Sequence, residues 1–235
     1  MDNKKMPLLS LGATIDKEIS VENFFSEENN KIFDLIKNPS YLRYSGWNML
    51  TLDYPKIKNG ESWEVKNGDS KTIRLYEDGT LVAFGDASNE FLGWGKADEE
   101  FAKKPILNSL ATIEFVYEFV KFYMDFLKLI NFESGSITLR VKLSNTELEN
   151  GNKLGISTSH VLALFPSSSE KIDGDKEAEI KISVPGDIFD AKYLAYKMIA
   201  KIYLWFSVPM DKIPYTAVDE QGKRYVDIKS FEKEQ

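Results

Sequence analysis

Cysteine is absent from the 235-residue chain and histidine occurs once, as His160. Disulfide scaffolds, Cys/His zinc sites, thiol nucleophiles and any metal site needing two imidazoles are thereby excluded. No Walker spacing G-x-x-x-x-G-K-[ST], no Rossmann G-x-G-x-x-G and no nucleophile elbow G-x-S-x-G occurs. No cofactor is therefore expected. No apolar signal core follows Met1 to Lys5, because Pro7 to Leu11 is short and gives way to polar residues, so a cytoplasmic location is expected. Long uncharged hydrophobic runs are missing too. The most apolar stretch, Ile106 to Ile130, carries Glu114, Glu118, Lys121, Asp125 and Lys128, which suits a core helix and not a membrane span.

A hydrophobic share of 43% is enough for a substantial core. The net charge of −7 argues against unpatterned attraction to nucleic acid or anionic lipid and leaves room for a local basic patch. The segment from Ser20 to Asn38 predicts an N-capped helix stopped by Pro39. Asn59-Gly60, Asn67-Gly68 and Asp78-Gly79 mark three turns between strands from Tyr41 to Gly85. A two-residue turn at Asp78-Gly79 would set Leu75 against Val82 and Ile73 against Phe84 on one apolar face, with Arg74 and Tyr76 on the other.

Pro105 fits the first position of a helix over Ile106 to Ile130, whose five charged residues would form one solvated stripe. Ile137, Leu139, Val141 and Leu143 alternate with Thr138, Arg140 and Lys142, the pattern of a half-buried strand. Ser159 to Phe165 and Glu179 to Val184 read as further strands, and Ile188 to Phe206 as a second helix. These elements predict an α+β fold of antiparallel strands packed against two long helices. They divide into an N-terminal helix and strand-rich lobe over 1–100 and a helix, three-strand and helix lobe over 101–235, or form one continuous domain.

Three groups of residues are candidates for chemistry. Asp53 with Glu64-Val65-Lys66 has the D…(D/E)-x-K spacing of Mg²⁺-dependent nucleases, in which carboxylates hold the metal and a lysine assists the attacking water. Its plainer reading is the solvated face of a strand. Gly46-Trp47 and Gly93-Trp94 leave room for a ligand or another backbone beside a flat ring, and Arg43, Arg74 and Lys96 could supply charge for a nucleobase or single-stranded nucleic acid. Core packing of both tryptophans is the bland alternative. Lys192, Lys197 and Lys201, interleaved with Tyr193, Tyr196 and Tyr203, could track phosphates or simply cover an apolar helix. His160 reads as a hydrogen-bonded structural residue, since the serines around it lack any nucleophile geometry.

The order Tyr44-Ser45-Gly46-Trp47-Asn48, the Asp78-Gly79 hairpin, Phe91-Leu92-Gly93-Trp94-Gly95 and the helix after Pro105 resembles a region of bacterial Schlafen/AlbA-type ATP- or nucleic-acid-binding proteins. That region lies downstream of their AlbA-like domain, and the AlbA-like motifs themselves are missing here. The resemblance implies an accessory or sensing module. The expectation drawn from the whole sequence is a non-catalytic binding module for a nucleic acid, nucleotide or protein partner, with the nuclease as the alternative.

Overall fold

Strands β1 (Leu8–Ile15), β2 (Lys56–Lys58), β3 (Ser62–Asn67), β4 (Lys71–Tyr76), β5 (Leu81–Asp86), β7 (Gly135–Ser144) and β10 (Lys176–Val184) form one antiparallel sheet in the order β10-β7-β1-β5-β4-β3-β2. The structure, a computed structural model, describes residues 6–38, 54–88, 90–93, 105–158, 170–185 and 189–232. β1 joins strands from before and after residue 100, pairing with β5 on one side and β7 on the other. Helices α1 (Lys31–Lys37), α2 (Ser109–Leu129), α3 (Ala191–Trp205) and α4 (Ile228–Glu232) complete a mixed α+β fold with a small sheet of β6 (Ile106–Leu107), β8 (Gly155–Ile156) and β9 (Glu170–Lys171). A hairpin of β11 (Thr216–Val218) and β12 (Arg224–Val226) packs beside α3. Among the described residues, no helix is long and apolar enough to cross a membrane.

All three Gly turns fall where expected, between β2 and β3, β3 and β4, and β4 and β5. The register of the last one differs by one residue. Leu75 faces Leu81 and Ile73 faces Ala83, while Val82 and Phe84 lie opposite Arg74 and Thr72. The loop is three residues long: the Tyr76 N–H donates to Thr80 O at 2.8 Å, and Gly79 takes φ +81°. Such a loop ends in a bulge residue in the left-handed region, and the one-residue slip moves Val82 and Phe84 to the other face. The gain is a core row of Ile73, Leu75, Leu81 and Ala83, all buried. Gly79→Ala is expected to cost about 1–2 kcal/mol, because a Cβ there would be strained at positive φ. It would also stand 2.8 Å from Ile19 Cδ1, a contact that the flexible isoleucine can relieve. Denaturant titration of the variant measures this.

Helix boundaries follow their caps. Asn30 Oδ1 accepts from the N–H groups of Ile32 and Phe33, and its Nδ2 donates to the carbonyls of Asn23, Phe24 and Ser26. It thereby holds the preceding residues in turns, so the helix expected from Ser20 begins only at Lys31. Asn108 caps α2 by accepting from Ala111 N at 3.0 Å, which leaves Pro105 outside the helix and Ile106 and Leu107 in a strand pairing with β8. The expected solvated stripe on this helix is half covered: Glu114 and Glu118 are buried and Lys128 is exposed. Spacing alone shows that these charges share a face, not what covers it.

The core lies between the sheet and α2 and α3. Inward β7 residues Ile137, Leu139, Val141 and Leu143 are buried, as their alternation predicts. Trp63 is 1% exposed, and its indole N–H donates to Phe24 O at 2.8 Å. On the outer face of the sheet, turned from this core, the residues of β1, β5, β7 and β10 are half-buried to exposed, whereas Ser62 and Glu64 of β3 are buried.

Candidate functional site

That outer face is built by strand alternation. Lys66, Glu64 and Ser62 of β3 stand opposite Thr72, Arg74 and Tyr76 of β4, and Lys56 and Lys58 of β2 flank Glu64 and Ser62. Glu64 is the hub of this half. The Arg74 Nε–H donates to its Oε2 at 2.5 Å, and Lys66 Nζ lies 3.7 Å from its Oε1. Burial by itself would raise the Glu64 pKa, but the Arg74 hydrogen bond and charge, with Lys66 and Lys58, bring it below the usual carboxylate value.

Glu64 and Lys66 therefore do share a strand face and come together, as the nuclease spacing requires. Their chemistry differs from that expectation. The residue across from Glu64 is Lys56, and the carboxylate that would hold Mg²⁺ is engaged by a guanidinium. Asp53 lies outside the described residues. Among the described residues, no three acidic or histidine side chains gather as a metal site would need.

Toward the sheet centre the outer face becomes aromatic and small. Phe84 lies between Ser10 and Thr72, and Val82 between Gly12 and Arg74, with Tyr76 farther along β4. All three apolar or aromatic side chains are partly exposed. On the far side, Arg140 and Lys142 rise opposite Glu179 and Glu177, paired at 2.7 and 3.5 Å and about half exposed. Counting outward strand positions gives seven cations (Lys56, Lys58, Lys66 and Arg74; Arg140, Lys142 and Lys181) against four acids (Glu64, Asp86, Glu177 and Glu179). This face carries a positive surplus of three in a chain whose net charge is −7.

Of the residues expected to contact ligand, Arg74 is on this face. Trp47, Trp94, Arg43 and Lys96 lie outside the described residues, as does His160. No family model, curated protein or solved structure matches the chain. Gly93, expected to admit a ligand or another backbone, admits backbone: its N–H donates to Ser88 O at 2.7 Å, and a Cβ would stand 2.2 Å from Ala87 O. Phe84 went unrecognised because the two-residue turn placed it inside. The signal lay in the sequence, since a three-residue Gly-ended loop was the competing hairpin.

Two other charged groups have structural surroundings. Lys71 begins the inward row of β4 and is 5% exposed, with its ammonium 5.1 Å from the Phe91 ring centroid. Burial lowers its pKa to about 8, partly offset by the Glu118 charge on α2. On α3, Lys192 sits 4.9 Å from the rings of both Tyr193 and Tyr225, and Tyr193 donates to Asp219 at 2.6 Å. Tyr203 is buried and its hydroxyl donates to Ser157 O. The tyrosines expected to interleave a phosphate track therefore divide between the core and the β11–β12 hairpin.

Proposed function

We propose that the chain is a non-catalytic binding module whose outer sheet face takes single-stranded nucleic acid. The supporting observation is the outer face itself, with Phe84 and Tyr76 set among Arg74, Arg140 and Lys142 on a locally positive surface. Aromatic faces on an open sheet stack bases without reading sequence, and nearby cations follow the backbone. Phe84 and Tyr76 are offset by four residues along adjacent strands, about 13 Å, close to four base-stacking steps of about 3.4 Å. Trp47 and Trp94, with Arg43 and Lys96, are further ligand-contact candidates of the sequence and lie outside the described residues. The likeness to the region downstream of the AlbA-like domain in Schlafen/AlbA-type proteins fits an accessory module of this kind in a bacterial system. Against the Mg²⁺-dependent nuclease stands the engagement of Glu64 by Arg74.

Fluorescence anisotropy with a labelled single-stranded oligonucleotide tests the proposal. Saturable binding is expected at low salt, weakening with a log–log slope of about −2 to −3 if three to four phosphates are neutralised. Phe84→Ala is expected to lose about tenfold in affinity, the size of one stacking contact. The proposal fails if the wild-type protein does not bind, or if Phe84→Ala and Arg140→Ala/Lys142→Ala both bind as wild type does.

A further inference from the structure

The two edges of the large sheet differ. β2 is three residues long, whereas β10 runs nine residues from Lys176 to Val184 with no proline inside it, and among the described residues it pairs only with β7. A long, regular edge strand offers unpaired N–H and C=O groups to another strand unless its side chains prevent approach. The side chains of β10 do the opposite for one partner. Outward charges change sign around Ile180, from Glu177 and Glu179 to Lys181, and the inward residues Ala178, Ile180 and Val184 pack on the core while remaining partly exposed.

We infer that β10 is a homodimerisation edge, at which a second copy of this chain adds its own β10 antiparallel, with the two-fold axis at Ile180. In that register Glu179 faces Lys181 of the second copy on the outer face, twice by symmetry. On the inner face Ile180 meets its own counterpart, and Ala178 meets Ile182 of the second copy. The neighbouring register, centred on Glu179, also brings Glu177 opposite Lys181 but sets two glutamates against each other at its centre and Lys176 against Ile182, so the first register alone has the attractive pairs without a repulsive one. Glu179 would then lie between Arg140 of its own β7 and Lys181 of the second copy. The inward edge left half covered by α3 would be closed by the same row of the second copy. The dimer carries the two sheets into one, and this inference does not depend on what the outer face binds.

Because the chain has no cysteine, single cysteines report the register without background. Directly facing residues of an antiparallel pair have Cα atoms about 4.5–5.5 Å apart, within disulfide range, so Ile180→Cys is expected to form a covalent dimer under mild oxidation. Ala178→Cys places its two sulfur-bearing residues about 13 Å apart along the strands and is expected not to. Analytical ultracentrifugation at about 100 μM protein is expected to show a dimer for the wild type. Lys181→Glu turns both charged pairs repulsive and is expected to raise the dissociation constant by about tenfold or more. The double swap Glu179→Lys/Lys181→Glu restores attraction and is expected to restore the dimer, which separates an interface effect from misfolding. A monomeric wild type overturns the inference. So does a dimer indifferent to Lys181→Glu, or cross-linking of Ala178→Cys in preference to Ile180→Cys.

Discussion

Gly93→Ala is expected to destabilise the protein by about 3 kcal/mol, a fall in melting temperature of about 6–12 °C. The new Cβ would stand 2.2 Å from Ala87 O, 2.8 Å from Ser88 O and 2.9 Å from Ala87 C, all backbone atoms that cannot rotate aside. Relief requires the loop after β5 to open. That loop is tied by Leu92 N–H to Asp86 O and Gly93 N–H to Ser88 O, and Leu92 O accepts from the N–H of Asn108, the residue that caps α2. One methyl group therefore disturbs both the end of a central strand and the entry of the main helix. Gly12→Ala is the control: its Cβ meets nothing nearer than Arg140 Cβ at 3.4 Å, an ordinary contact. Thermal melts of the two variants should differ sharply, and equal melting temperatures would show that the loop is not packed as described.

Stability is expected to rise by about 2 kcal/mol between pH 8 and pH 10, through Lys71. Its folded pKa is lowered to about 8 from an ordinary 10.5, because burial penalises the ammonium. Over the interval between those values the unfolded chain binds more protons than the folded one, so raising the pH favours folding. Below pH 8 the burial penalty is present in full. Above about pH 10 the sign reverses, since Tyr117 is raised to about 12, and Tyr123 and Tyr203 are also raised, by burial. The unfolded chain then loses tyrosine protons that the folded one keeps. Urea titrations across this range measure the rise, and in Lys71→Met it should vanish whatever the variant's stability at neutral pH. A rise that survives in the methionine variant would assign it to another group.

The contrast between what was and was not legible in the sequence has physical causes. β7 was readable because its alternation is strict and one of its faces is buried, and the three Gly turns were readable because each needs positive φ. The hairpin register was not, because Asp78-Gly79 suits both a two-residue turn and the end of a three-residue loop, and the choice depends on which residues β1 and α2 bury. Glu114 and Glu118 looked solvated since periodicity ranks the faces of a helix only by polarity. Lys71 lies in a row shared with Ile73 and Leu75, and a charged residue type carries no sign of that burial. Of the candidate site, Arg74 and the Glu64–Lys66 pair were found, while Phe84 was turned inward by the same one-residue slip. The outer face as a unit needed the strand order, which places β7 beside β1, 120 residues or more away in sequence.

The outer face is tested most directly by photo-cross-linking the wild-type protein to a single-stranded oligonucleotide carrying halogenated pyrimidines, followed by peptide mapping. Cross-links are predicted in the peptides of β4 and β5 that carry Tyr76 and Phe84, and they should disappear as salt is raised. Cross-links confined to α3 and the β11–β12 hairpin, or none at all under saturating conditions, would contradict the account.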